Sequence, residues 1–169
     1  DRIRFEVSGL QKASLVRQLS NFAFQLKSSF GEMAPSHAPA SWLEAFQQLI
    51  ECLNKAAFPT ETVLFFDELP WLSSRKSGFL EGLGFFWNSW ASKKNIVVVI
   101  CGSAASWMIQ KVVHDKGGLH NRITKRIHLQ PFDLYETEYF LQSKDVHLDR
   151  YQILQLYMAM GGIPHYLKE

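Results

Sequence analysis

The sequence has little cysteine and no long apolar segment. Cys52 and Cys101 are the two cysteines among 169 residues, and neither lies in a CxxC or CxxH pair. A disulfide scaffold and a zinc site are therefore not indicated. No apolar run approaches the roughly 18 residues that a membrane-spanning helix needs, which argues against a membrane partner. Together these absences predict a cytoplasmic location.

An excess of one charge is also missing. The 18 basic and 16 acidic side chains leave a net charge of +2, too small to indicate a nucleic-acid or membrane surface by itself. With 47% hydrophobic and 14% aromatic residues, the chain can bury a core. It starts at Asp1 inside a strand-like pattern and stops at Glu169 inside a helix-like one. We therefore expect it to be part of a longer polypeptide.

The hydrophobic pattern predicts alternating strands and helices. Residues 2–7 alternate as in a half-buried strand, whereas the runs at 62–67 and 95–101 are apolar on both faces. Helical spacing and turn signals predict the remaining elements: helices near 10–29, 41–57, 78–91, 104–113, 135–143 and 149–160, and a short strand near 126–129. Buried strands that alternate with helices predict an α/β fold, with a parallel sheet covered by helices on both faces.

An acid pair, Asp67 and Glu68, follows the apolar run Val63–Phe66. Ligands of open parallel sheets bind at the carboxyl ends of the strands. The pattern has the form of a Walker B element, in which the first carboxylate holds the magnesium shell and the second activates water. The alternative is that the two acids only end the strand and cap the next segment.

Ser103 follows the second apolar strand. In nucleotide hydrolases of this architecture, a polar residue at that place senses the γ-phosphate. Serine is also a favoured N-cap, so capping of the predicted helix 104–113 explains the residue equally well.

A basic stretch at 117–126 contains Arg122, Lys125 and Arg126. An arginine there could reach phosphate, or act in trans as an arginine finger, which would require a homo-oligomer. For Lys125 and Arg126 a solvated loop is the preferred interpretation. Nucleic-acid binding by this stretch has weaker support, and it predicts an affinity that falls steeply with salt.

The phosphate-cradling motif G-x-x-x-x-G-K-[ST] is absent. The segment Ser8–Ser14 (SGLQKAS) lacks the glycine before its lysine and cannot replace it. Without that loop, the β- and γ-phosphates of a nucleotide lack their main backbone amides and their lysine.

Several segments, taken in order, resemble one family. They are FEVSGLQKASLVRQLSNFAFQL at 5–26, FFDELPWL at 65–72, FWNSWA at 86–91, VVVICGSAASWM at 97–108, GLHNRITKRIHLQPF at 118–132 and GGIPHYL at 161–167. The chain resembles the prokaryotic archaeal-type ATPases, in the AAA+/STAND branch of the P-loop NTPases. The resemblance covers nearly the whole chain but not the Walker A loop.

The resemblance implies a three-layer parallel sheet of P-loop NTPase type, in which the sensor strand lies between the P-loop strand and the Walker B strand. Residues 1–133 would form the α/β core, and residues 134–169 would begin a helical lid. The P-loop and its strand are expected before Asp1. Without that strand, buried backbone groups at two strand edges lose their partners, at a cost of roughly 1–3 kcal/mol each.

The resemblance also implies roles for individual residues. Asp67 matches the magnesium-shell acid, Glu68 the catalytic base and Ser103 the sensor. Arg122 matches an arginine thought to approach the phosphates. Pro164 matches a proline that packs near adenine, although it could equally be a helix stop after residue 160.

The leading hypothesis is therefore an ATP-binding and ATP-hydrolysing core that uses Mg²⁺ and is inactive as these residues alone. The alternative is a non-catalytic nucleotide switch or protein-interaction module with the same fold. Its candidate partner surface is the aromatic-rich helix with Phe85, Phe86, Trp87 and Trp90, although such a cluster is more often core.

Overall fold

The structure is a computed structural model that describes residues 3–56, 62–74, 76–113, 119 and 121–168. Its contacts divide the chain into two compact units, Asp1–Thr124 and Lys125–Glu169. Gly117 and Gly118, the first residues of the predicted basic stretch, lie outside the described residues.

The first unit contains a parallel sheet of three strands in the order β1, β2, β3: Ile3–Ser8, Thr62–Asp67 and Ile96–Ile100. Ser8 lies opposite Asp67, and Phe66 lies opposite Ile100. The mixed α/β class and the parallel pairing predicted from the sequence are therefore confirmed. Because all three strands run the same way, their carboxyl ends meet at one edge.

The described residues of this unit form five helices. They are α1 (Leu15–Phe30), α2 (Trp42–Lys55), α3 (Leu69–Leu72), α4 (Phe79–Ser89) and α5 (Ala105–Met108), which continues as a wider turn over Ile109–Val113. Short 3₁₀ turns cover Gly31–Met33 and Ala91–Lys93. Two serines cap the long helices: the Ser14 hydroxyl accepts from the Arg17 N–H, and the Ser41 hydroxyl accepts from the Glu44 N–H. The cap at Ser14 explains why α1 begins later than predicted.

The core is aromatic and lies on one face of the sheet. Phe46 of α2 is fully buried, with its ring centroid 5.8 Å from that of Phe66 on β2 and 5.4 Å from that of Phe86 on α4. The Trp42 ring also meets Phe79 edge-on, with centroids 4.7 Å apart. Such pairs contribute about 0.5–1.5 kcal/mol each beyond the area that they bury.

The opposite face of the sheet differs from the prediction. Val63, Phe65, Val97 and Val99 lie on that face, outside the buried core, and Val97 is 53% exposed. Burial of the strands on both faces is therefore wrong for the described residues. The reason is that the buried side chains of α1, α2 and α4 join a single cluster with Phe5, Val7, Leu64 and Phe66.

The predicted fourth strand near 126–129 is also wrong. Residues 122–133 contain neither helix nor strand, and Ile127 and Leu129 are 72% and 86% exposed. Alternating apolar residues form a strand only when a neighbour completes the hydrogen-bond ladder. The described part of the chain provides no such neighbour for them.

The second unit is helical, with α6 (Leu134–Gln142), α7 (Arg150–Met160) and α8 (Pro164–Lys168). Asp133 and Asp149 each form a reciprocal capping box with the third residue of the following helix. The Phe132 N–H donates to the Gly162 carbonyl at 2.7 Å, and a side chain at Gly162 would collide with the Phe132 backbone. Among the described residues, no helix is long and apolar enough to cross a membrane.

The aromatic core makes stability depend on Phe46. Replacing Phe46 by Ala should lower the free energy of unfolding by about 3–5 kcal/mol, because it empties the space between β2 and α4. Urea unfolding followed by circular dichroism measures the loss. The control is Phe24→Ala, whose side chain is 68% exposed on α1 and which should change stability by less than about 0.5 kcal/mol. Equal losses in the two variants would contradict the packing described.

Candidate functional site

The candidate site lies where the three parallel strands end. Asp67 is the last residue of β2 and lies opposite Ser8, the last residue of β1. Cys101 follows β3, and its N–H donates to the Phe66 carbonyl at 2.9 Å. The ladder therefore gathers a carboxylate, a hydroxyl and a thiol at one edge of the sheet.

Asp67 is held from the β1 side. The Ser8 hydroxyl donates to Asp67 Oδ2 at 3.1 Å, and the Gly9 N–H donates to the Asp67 carbonyl at 2.9 Å. Sequence reasoning did not select Ser8. Its position at the end of the first predicted strand is a signal that could have identified it.

Glu68 has a left-handed backbone, with φ 48° and ψ 50°, which is uncommon for a residue with a Cβ. Such a conformation costs about 1–3 kcal/mol and persists only where its surroundings enforce it. Here the Leu69 N–H donates to the Cys101 carbonyl at 2.9 Å, and the Trp71 N–H donates to the Glu68 carbonyl at 2.8 Å. Glu68 thus stands at a sharp turn between β2 and the short helix α3.

Two glycines let the neighbouring strand ends approach this turn. A Cβ on Gly9 would lie 2.6 Å from the Glu68 carbonyl oxygen, and one on Gly102 would lie 2.7 Å from Pro70 Cδ. Neither position has space for a larger residue without movement of the turn. The turn that carries Glu68 is therefore packed from both sides.

Ser103 lies beside Glu68. Its hydroxyl donates to Glu68 Oε2 at 3.2 Å, and both side chains are accessible to solvent. Helix α5 begins at Ala105, and the Ala104 carbonyl accepts from the Met108 N–H. Within the described residues, the Ser103 hydroxyl thus donates to Glu68, the second acid of the pair.

Cys101 was not selected from the sequence either. Its exposed thiol has a raised pKa, first because of partial burial, then because it donates a hydrogen bond to Asp67 and faces the negative charges of Asp67 and Glu68. The thiol is therefore protonated at neutral pH, and its pKa depends on the charge of the acid pair.

Arg122 and Pro164 belong to segments other than the three strand ends. Arg122 is exposed, and no hydrogen bond or ion pair within the described residues joins its guanidinium to Asp67 or Glu68. Pro164 is exposed at the first position of α8 in the second unit. The roles assigned to both stay predictions.

The donor set fits magnesium better than a metal held by protein ligands alone. The described residues contain no cluster of three or more His, Cys, Asp or Glu side chains placed to hold a metal. Mg²⁺ commonly binds through one or two carboxylates, substrate phosphates and several waters. One aspartate beside a serine hydroxyl, open to solvent, is compatible with that mode.

One of the comparisons with known proteins finds a shared fold. No protein-family model matches the sequence, and no curated protein matches it. Among solved structures, the chain is similar to the Walker-type ATPase PABY2304 of Pyrococcus abyssi, with a TM-score of 0.59 and 18% sequence identity. The alignment covers 96% of this chain and 53% of that one, so the chain spans about half the length of its structural neighbour. The two share a fold.

The contact between Cys101 and Asp67 predicts how fast the Cys101 thiol is alkylated. Iodoacetamide should modify Cys101 slowly at pH 8, because its raised pKa keeps the thiol protonated. In Asp67→Asn the hydrogen-bond acceptor loses its charge, the pKa falls and the reaction should become several times faster. Mass spectrometry of the labelled peptides measures both rates. Cys52 is buried, and burial also raises its pKa, so it serves as the unreactive internal control. An unchanged rate at Cys101 would refute the contact.

Proposed function

We propose that this chain is the acidic half of a Mg²⁺-dependent ATP-binding and ATP-hydrolysing site in an ATPase of the AAA+/STAND type. One observation carries the proposal: the hydrogen bond between Ser103 and Glu68, which joins the ends of two adjacent parallel strands. The shared fold with a Walker-type ATPase supports it.

The proposed roles follow from the chemistry of each side chain. Asp67, the Walker B acid, would hold the Mg²⁺ shell, with the Ser8 hydroxyl orienting its carboxylate. When bound, Mg²⁺ neutralises charge on the β- and γ-phosphates. Glu68 would orient the attacking water and accept its proton.

Ser103 would act as the sensor. Its hydroxyl donates to Glu68 and can also turn toward an oxygen that arrives at the strand ends, because it has one donor and two acceptor lone pairs. A role in capping α5 alone would not require the contact with Glu68. As the sensor, the Ser103 hydroxyl would exchange its hydrogen bond to Glu68 for one to an incoming phosphate oxygen.

The chemistry needs a phosphate-binding loop, and these residues contain no G-x-x-x-x-G-K-[ST] motif. The proposal therefore concerns the polypeptide in which this chain acts together with such a loop. There, Arg122 would approach the phosphates, in cis or from a second subunit, and Pro164 would lie near adenine. Residues 1–133 would serve as the core and residues 134–169 as the start of a lid.

Glu68→Gln tests the proposal in the whole protein. ATP binding should persist, because the amide keeps the size of the side chain, whereas turnover should fall by about two to four orders of magnitude, because the amide cannot accept a proton. Fluorescent-nucleotide binding and phosphate release measure the two quantities. The matched control is Glu81→Gln, an exposed acid on α4, which should leave turnover unchanged.

The outcomes separate the two hypotheses. Unchanged turnover in Glu68→Gln would refute the assignment of the base. Nucleotide binding by the unmodified protein without any turnover would favour the non-catalytic switch. Absence of nucleotide binding would refute both the ATPase and the nucleotide switch, and it would favour a protein-interaction module with the same fold.

Substitutions at Ser103 separate sensing from capping. Ser103→Ala should lower turnover about tenfold or more with unchanged thermal stability, because it removes the hydroxyl that contacts Glu68. Ser103→Thr keeps that hydroxyl and should retain most of the turnover. A loss of stability in Ser103→Ala that Ser103→Thr largely avoids, with turnover unaffected in both variants, would assign Ser103 to helix capping alone.

A further inference from the structure

The outer edge of β1 borders an open groove whose other wall is α1. Because the sheet order places β1 at an edge, no strand of the described residues pairs with it on that side. Two cavities, of about 340 and 210 Å³, lie along this edge and share Glu6. We name this feature the β1–α1 groove. Besides Glu6, its polar lining is Arg4, Ser8, Asn21, Gln25 and Ser29.

The backbone of β1 offers unpaired groups to the groove. The Gly9 N–H donates toward β2, to the Asp67 carbonyl, and backbone groups of an extended strand alternate in direction. The groups of Ser8 and Glu6 therefore point away from β2. The Ser8 carbonyl accepts from Asn21 Nδ2 at 2.9 Å, which agrees with this direction. The Glu6 N–H and C=O are left facing the groove, as in strand edges that accept another strand.

The α1 wall is suited to contact an extended backbone. Asn21, Gln25 and Ser29 are spaced by four residues, so they lie along one side of the helix. Each carries both a donor and an acceptor, so each can bond to backbone N–H or C=O groups. A single strand beside β1 would thus meet polar partners on two sides.

The α1 wall favours a single extended peptide over the β1 strand of a second molecule of this chain as the occupant of the groove. The β1 of a copy would carry its own α1, because Phe5 packs on Phe22 and Phe30 of that helix, with centroids 5.1 and 6.4 Å away. Strands pair about 4.8 Å apart, whereas packed helices need about 8–10 Å between their axes. Pairing of two β1 edges would therefore force the two helices together.

The charge of the groove selects the occupant. Glu6, which is exposed, lines both cavities, and no cation of the described residues lies within ion-pair distance of its carboxylate, which an added strand would meet as a cross-strand neighbour. The nearby Arg4 guanidinium lies instead over the Phe30 ring, 5.1 Å from its centroid. We propose that the β1–α1 groove binds an extended peptide segment of a partner protein by strand addition, with a Lys or Arg of that segment facing Glu6.

Two fluorescein-labelled peptides test the charge selection. Both alternate Thr and Ser, one with a central Lys and the other with a central Glu, and fluorescence anisotropy measures binding to the chain. The Lys peptide should bind about tenfold more tightly, and Glu6→Lys should reverse the order. Glu81→Lys makes the same charge change on α4 and should leave the order as it was. Thermal unfolding checks that both variants fold.

A third peptide tests the strand pairing. N-methylation of alternate amides in the Lys peptide removes the donors that Glu6 C=O requires, so its binding should be lost. In ¹⁵N spectra, the Lys peptide should shift the amide signals of Glu6 and Ser8 and the side-chain signals of Asn21 and Gln25.

Several results would overturn the proposal. They are no binding of the Lys peptide at about 1 mM, equal binding of the Lys and Glu peptides, binding that survives N-methylation, and shifts confined to other surfaces. Sedimentation of the chain as a dimer that Glu6→Lys splits would also overturn it, because the occupant would then be a second copy.

Discussion

The parallel register of β2 between its two neighbours is the constraint on which the candidate site depends. It sets Ser8 opposite Asp67 and brings Cys101 to the same edge through its bond to Phe66. Each side-chain hydrogen bond of the acid pair crosses from one strand end to the next, at separations of up to 59 residues along the chain. A slip of one residue in either ladder would turn these side chains to the opposite face.

The aromatic core secures that register from one side. Phe66 immediately precedes Asp67 on β2, and its ring contacts those of Phe5 on β1 and Phe46 on α2. Because successive residues of a strand face opposite sides, burial of Phe66 directs the Asp67 side chain away from the core. The same packing that stabilises the first unit thus presents the carboxylate at the strand end. Stability and site geometry are coupled here through adjacent residues.

The sequence predicted the elements whose signals are local. Apolar runs located β2 and β3, and the acid pair and Ser103 were identified because each directly follows a strand. Ser8 and Cys101 were missed, since their importance arises from pairing between distant segments. The strand predicted at 126–129 failed for a related reason: alternation supplies a pattern, but a strand also needs a neighbour, and the described residues contain none for it.

The backbone of Glu68 indicates why this edge differs from an ordinary strand end. A left-handed glutamate is unfavourable, and a glycine there would relieve the strain. The chain places glycine instead at 9 and 102, where close packing against Glu68 and Pro70 requires it. The strain is thus held by contacts with both neighbouring strand ends. Because the Ser103 hydroxyl also contacts Glu68 Oε2, both the backbone and the side chain of Glu68 are positioned by the neighbouring strand ends.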